Sequence, residues 1–556
     1  MMNISSTNLH NKNQSKLSFG RALTTAETNL VSTYLSDGIK KADIETLAIN
    51  LPVAAAPAKT GENTGIGNFS EVADFMKDLK PLTGFNAALF LPLGCSYDSH
   101  NSPFSTDSFG LNTGYFDPSK LKTEEYGNLL NPENKEDKKV LDALYSAPVK
   151  DKERTQYNNT DKIDAVLNRA YENYKTGLKT DAEGTTALKE EFDNFKTEKY
   201  WLETYAENKD ASDPERYKFK QFLLKKQNDE MRANLKNNDI DTIIDIPVGA
   251  NRQLDAKLEK DDPFLNRELG AFDGAQNKWV GWGIIPLDPG KQSAQNLAKQ
   301  KAKYHASLGT GVRLDCFNGN MFAADGNGVL PEYNANPKIL ADKLFEGLKE
   351  GGADPNKSFA EHLPYQEKYD ARYVDHYLYN KSKEIMGTPI PKLSVAKWNN
   401  FGPDSFDSNG SHEILGYHQD NKGNPEAIKD GFVTLLSRGT RKVMLPFTDV
   451  FGMDETYNVS NSVNDTNWTK RLPEGQNWEV KYQEKLQNGY GFNAPEIISR
   501  VLDRKGKNDE EGKILSSVLG KFGQLLREDG VKTQQAANEK LGANYIDPEL
   551  KSLLKQ

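Results

Sequence analysis

From residue 49 to residue 446, short apolar blocks alternate with longer stretches whose apolar residues recur every three or four positions. Ile49-Asn50-Leu51-Pro52, Phe85 to Gly94 and Ile240 to Val248 predict strands, and the last is almost continuously apolar, as suits a parallel strand covered on both faces. Val312-Arg313-Leu314-Asp315, Lys392 to Trp398, the segment beginning at Glu413 and Arg441 to Pro446 predict further strands. Helical periodicity covers Ser70 to Leu79, Phe219 to Lys236, residues 293–308 and residues 424–440. Strand, loop, helix and strand in repetition predict an α/β fold with parallel strands.

Outside this alternation the pattern changes. Residues 1–20 are polar and read as a loosely attached leader, and residues 21–48 predict accessory helices, with Leu23, Leu30, Tyr34 and Ile39 apolar and a second short helix after Lys41. Residues 116–200 are charged and predict helices over Lys120–Leu130, Lys138–Tyr145, Lys162–Leu178 and Ala187–Lys199. Trp201 and Tyr205 are four apart, share one helix face and are read as core. The expected division is an accessory region at 1–48, a main domain at 49–475 with a helical insertion at about 116–200, and a helical region at 476–556.

Composition narrows the partners. The chain has 556 residues and a formal charge of -9, which disfavours nucleic acid and anionic membranes. Two cysteines, Cys95 and Cys316, give neither a disulfide framework nor metal-ligand spacing. No apolar run of about 18 residues predicts a membrane span, and the polar start shows no secretory signal, so the cytoplasm is the expected location. Nothing in the sequence sets the oligomeric state.

The charged tip of one strand carries the chemistry. Arg313 and Asp315 are two apart, so both point to one face of the strand, just before an Asn- and Gly-rich turn at 318–320. At a barrel mouth this is a carboxylate held by a guanidinium, ionised and aimed as a nucleophile must be.

That stretch resembles the nucleophile strand of the 4-α-glucanotransferase (amylomaltase) family, glycoside hydrolase family 77, which reads Arg-Ile-Asp-His-Phe-Arg-Gly. Arg313, Asp315, Phe317 and Gly319 match, while Cys316 and Asn318 depart. Gly65-Ile66-Gly67 and Leu91-Pro92-Leu93-Gly94 resemble the opening of the family's barrel, and Ser102-Pro103, Ser108, Phe109 and Asn112 resemble its channel loop, with Phe104 in place of the usual Tyr. Asp245-Ile246-Pro247 matches a central strand, Asp420-Asn421 the end of the seventh, and Asp449, Asn467-Trp468 and Arg471 the closing segment. Gln419 stands where the family has His, with His418 one position earlier.

The resemblance implies an α/β protein built as a (β/α)8 TIM barrel with helical insertions and accessory terminal helices. It implies retaining transfer of α-1,4-glucan segments between maltodextrins through a covalent glycosyl-enzyme, with no cofactor or metal. Asp315 would be the nucleophile and Asp420 the stabiliser of the distorted sugar. The acid/base carboxyl is open among Glu361, Glu367 and Asp370, since the family's Glu-Asp-Leu-Gly does not occur here. Arg313, Asp245, Ser102, Phe104, Asn112, Trp279, Trp282 and His418 are the expected substrate contacts. The departures at 316, 318 and 419 keep a second expectation alive, a catalytically degenerate barrel that binds glucan or regulates.

Overall fold

The computed structural model describes residues 21–555 apart from 97–100, 148, 150, 181–183, 198, 267, 274–277, 316, 318–323, 326–327, 330–337, 363–370, 398–410, 416–422, 439–440, 456, 459–465 and 529. Eight parallel strands form one curled sheet: β1 (Thr46–Asn50), β2 (Ala87–Phe90), β3 (Asp241–Ile246), β4 (Gly311–Leu314), β5 (Phe359–His362), β6 (Lys392–Lys397), β7 (Ser411–Leu415) and β8 (Lys442–Pro446). They neighbour one another in chain order, and β1 pairs with both β2 and β8, which closes the ring. Helices Phe69–Thr83, Gln292–Ala306, Ile339–Gly351, Ala371–Met386 and Pro425–Ser437 lie between successive strands.

The apolar blocks become strands because each is covered twice. Ala48, Ala87, Leu89, Ile243, Phe359, Leu393 and Met444 make a cluster of their own from the strands of the ring. Their neighbours on the opposite strand faces, such as Leu47, Ile49, Ala88, Phe90 and Ile244, join the larger core under the helices. Alternation of the two sets along each strand follows from the period of two.

Two expectations are corrected. No helix follows Lys41: the chain turns at Asp43, whose φ is +58°, and β1 opens at Thr46. Glu45-Thr46-Leu47-Ala48 has some helical propensity, but pairing on both edges overrides it. Lys120–Leu130 is not an α-helix but two 3₁₀ turns, Pro118–Lys122 and Glu124–Tyr126, stopped at Gly127 with φ +65°. The other insertion helices run Lys135–Tyr145, Thr160–Thr180, Thr185–Thr197 and Leu202–Lys209, and Pro214–Asn237 leads back to β3.

Helix Thr25–Lys41 begins at a capping box in which Thr24 and Glu27 satisfy each other's backbone amides. It packs against helices Ala494–Arg504 and Glu510–Arg527. The contact is close at Gly38, where a Cβ would come within 2.7 Å of Leu519 Cδ1 and 3.0 Å of Ile498 Cγ2. Thr24 Oγ1 also donates to the Tyr545 carbonyl at 2.7 Å, so both ends of the described chain meet. Among the described residues no helix is long and apolar enough to cross a membrane.

Candidate active site

Ile243 and Asp245 are two apart on β3, Phe359 and Glu361 two apart on β5, and Arg313 and Asp315 two apart at the end of β4. Ile243 and Phe359 belong to the cluster formed by the strands of the ring. The period of two therefore sets Asp245 and Glu361 on the same strand faces, one layer nearer the C-terminal ends. The register completes the set: Asp245 is opposite Arg313, and Arg313 is opposite Phe359, so Asp315 falls beside Glu361.

Arg313 ties this layer together. One guanidinium nitrogen donates to both Asp245 oxygens, at 2.9 and 2.7 Å, and to Asp315 Oδ1 at 3.2 Å. Its other terminal nitrogen lies 3.2 Å from Glu361 Oε2. Asp245 is wholly buried and Glu361 nearly so, whereas Asp315 keeps 17% of its side chain exposed. Burial pushes the Asp315 carboxyl above the usual carboxylate range, Arg313 works against that, Asp245 adds to it, and a side-chain hydrogen bond with Glu361 opposes it. The backbone also fixes Asp315, whose N–H donates to the Ile246 carbonyl at 3.0 Å.

The loop after β2 is anchored beside the ring. Phe109 stacks on Trp201 at 5.9 Å and tilts against Tyr304 at 5.6 Å. Asp255, fully buried, accepts from Ser108 Oγ at 2.6 Å, from the Tyr205 hydroxyl and from Asn251 N at 3.0 Å. Earlier in the same loop, Phe104 lies 5.7 Å from Trp468, which Tyr457 flanks at 5.6 Å. Trp468 has a φ of +63°, a left-handed backbone rare for a bulky residue. Its carbonyl accepts from the Tyr157 hydroxyl at 2.8 Å.

The structure thus brings together Asp245, Arg313, Asp315 and Glu361. Ser102 and Asn112 have local duties: Ser102 Oγ accepts from Phe104 N at 3.3 Å, and Asn112 Oδ1 accepts from Gly114 N at 2.9 Å, capping a 3₁₀ turn. Trp279 and Trp282 belong to strand Lys278–Ile284 of an antiparallel ribbon, where Trp279 pairs with Phe272. Asp420, His418, Glu367 and Asp370 lie outside the described residues. Among the described residues no group of three or more His, Cys, Asp or Glu is arranged to hold a metal ion.

Sequence reading missed Asp255 and two residues of helix Gln292–Ala306, Lys301 and His305, all buried. Lys301 Nζ donates to the Pro247 carbonyl at 2.7 Å and to that of Gly249, and His305 Nε2 lies 3.2 Å from the Ser108 carbonyl. Only the helical phase of Lys301 could have marked it, as described below.

Comparison with known proteins bears on the family and the fold. Residues 54–213 match the glycoside hydrolase 77 family, described as 4-alpha-glucanotransferase. The match stops before Asp245, so the carboxylate layer rests on its own geometry. The fold is similar to that of the amylomaltase from Streptococcus agalactiae in complex with acarbose, at 16% identity and a TM-score of 0.56, covering 79% of this chain and 98% of that chain. It is also similar to the amylomaltase from Corynebacterium glutamicum, at 13% identity and a TM-score of 0.60, covering 84% of this chain and 76% of that chain. No curated protein sequence matches the chain.

Proposed function

We propose, for a chain that is a divergent member of the amylomaltase-like 4-α-glucanotransferase family, that it transfers α-1,4-glucan segments between maltodextrins with retention, on a TIM-barrel scaffold with helical insertions. The observation that carries this is the meeting of Asp315 and Glu361 on adjacent strand ends under one guanidinium. Glu361 stands beside Asp315 and is the acid/base group in this reading; Glu367 and Asp370 lie outside the described residues. Two carboxyl groups in direct contact do not both ionise readily, and this reading gives the pair one proton, carried by Glu361.

That proton count suits a retaining reaction. Asp315 attacks the anomeric carbon as the glycosidic C–O bond breaks, and Glu361 gives its proton to the departing oxygen. The hydroxyl of an incoming glucan then returns a proton to Glu361 as its oxygen displaces Asp315. A retaining pair works at about 5–5.5 Å. The Asp315–Glu361 hydrogen bond therefore opens as a sugar oxygen enters between them. Arg313 keeps both groups aimed, and Asp245 neutralises Arg313 in turn. In this reading Asp420 and His418, which lie outside the described residues, are substrate groups, and Ser102, Phe104, Asn112, Trp279 and Trp282 are further substrate contacts. The expected location is the cytoplasm.

The substitutions Cys316, Asn318 and Gln419 favour a second reading, a barrel that binds maltodextrin without turnover. Purified protein incubated with maltotriose distinguishes the two. Glucose together with longer maltodextrins, abolished in Asp315→Asn and in Glu361→Gln, supports transfer. Calorimetric binding of maltotriose with no product supports the second reading. Neither binding nor product would sink both.

A further inference from the structure

Lys299, Lys301 and Lys303 stand two apart on helix Gln292–Ala306. Residues four apart share a helix face and residues two apart do not. Lys299 and Lys303 accordingly both meet Glu350, at 2.6 and 3.8 Å. Lys301 points the other way and is only 3% exposed. Its ammonium holds the Pro247 and Gly249 carbonyls, which immediately follow β3. The residue before them, Ile246, is the one whose carbonyl anchors the Asp315 N–H at 3.0 Å. Ala250, next along the turn, exchanges backbone hydrogen bonds with Ile285 at 3.0 and 3.3 Å, just past the ribbon that carries Trp279 and Trp282.

A buried ammonium bonded to two neutral carbonyls is a poor device for stability, because desolvating a cation is expensive and an apolar side chain would fill the space at less cost. The charges it feels explain it better. Asp255, Asp315 and Asp245 all act on Lys301 across the site, and His305 lies one turn further along the same helix. Burial lowers the Lys301 pKa to about 8, which still leaves the group mainly cationic at neutral pH.

We propose that Lys301 is a positioning residue for Asp315: it grips the Pro247–Gly249 turn behind the carboxylate and holds a positive field under it that favours its ionised form. This rests on the reading of Asp315 as nucleophile. Among the described residues, Arg313, Asp245 and Glu361 of the ring act most on Asp315, and the charge of Asp315 is felt at Lys301 on the helix that grips the turn after β3. Arg313 is shared among three carboxylates, so a second cation has work left to do.

The test compares Lys301→Met, which removes grip and field, with Lys301→Gln, which keeps a donor without charge, and Lys301→Arg, which keeps the charge. Loss of a nearby cation raises a carboxyl pKa. In both neutral variants the acid limb of kcat for maltotriose transfer should move up by about one pH unit, a roughly tenfold loss on that limb, with KM little changed. Lys301→Arg should restore the limb. Titration of the Asp315 carboxylate by ¹³C NMR, assigned by its absence in Asp315→Asn, should move the same way and needs no turnover. A protein without transfer activity but with a shifted titration would overturn the proposed function and keep Lys301's effect on Asp315. An unmoved titration in folded Lys301→Gln would overturn the proposal whatever the activity.

Discussion

Arg313 donates through a single nitrogen to both carboxylate oxygens of Asp245, at 2.9 and 2.7 Å, in a layer where Asp245 has no exposed surface. Arg313→Met strands a buried carboxylate, and breaking such a pair costs about 3–5 kcal/mol. The double variant Arg313→Met with Asp245→Leu should recover the part of that loss that belongs to Asp245, leaving the part owed to Asp315 and Glu361. Urea denaturation of the wild type, both single variants and the double variant measures it. Additive losses would show that the two residues are not coupled.

Glu361→Gln should lower kcat on maltotriose by about 10²–10⁴-fold, the range for removing a general acid. An α-glucosyl fluoride donor needs no protonated leaving group, so the variant should still form the glycosyl-enzyme from it. Mass spectrometry of the intact protein detects that adduct. Equal loss on both donors would remove Glu361 from the acid role.

Asp255 gathers Ser108, Tyr205 and Asn251, and thereby fixes the loop after β2 against the insertion. Ser108→Ala deletes one charge-assisted hydrogen bond, worth about 1.5–3 kcal/mol. Because the loop borders the proposed channel, KM for maltotriose should rise while the acid limb of kcat stays in place. A shift of that limb without a change in KM would contradict a purely positional role for the loop.

His305 gives a pH signature of stability. Burial, and then the charge of Lys301, hold its pKa down to about 3, below the free value of 6.5. A folded pKa below the unfolded one means stability present above pH 6.5 and lost as pH falls from there toward 3. The loss is about 1.4 kcal/mol for each pH unit inside that window. His305→Gln, which can still donate to the Ser108 carbonyl, should flatten the change in Tm between neutral pH and mild acid. An equally steep change in the variant would place the acid sensitivity elsewhere.

Gly38 lies where helix Thr25–Lys41 crosses the C-terminal helices. Gly38→Val overpacks that crossing and should cost about 1–3 kcal/mol. The corresponding fall in Tm should be smaller in Gly38→Val combined with Leu519→Ala, which opens room beside it. No rescue would mean that the crossing does not limit stability.

The ring was legible wherever a strand had the two-residue period or a continuous apolar run. Arg313 and Asp315 announced their shared face by alternating with Val312 and Leu314. Glu361 was harder, because Phe359-Ala360-Glu361-His362 carries too few alternations to reveal a strand by itself, and pairing to β4 and β6 supplies the rest. Thr46 to Ala48 reads as a helix tail until both neighbouring strands are in place. Lys301 was hidden because a lysine on a charged helix ordinarily faces water; only its phase against Lys299 and Lys303 marks it, and that requires knowing which face is covered. Asp255 has no sequence pattern at all, since its partners come from three separate segments.

Pairing of Thr46 with Lys442 and of Asn50 with Pro446 has a consequence for synthesis. The first strand leaves the ribosome long before its neighbour on one side exists, and the ring closes only when the last strand follows. Until then β1 offers an unpaired edge beside the growing chain, a site where wrong strands can add. Helix Thr25–Lys41 waits in the same way for helices made after residue 493. Refolding should therefore be slow and concentration-sensitive, and a nascent chain halted before residue 442 should bind chaperones more strongly than one released at full length.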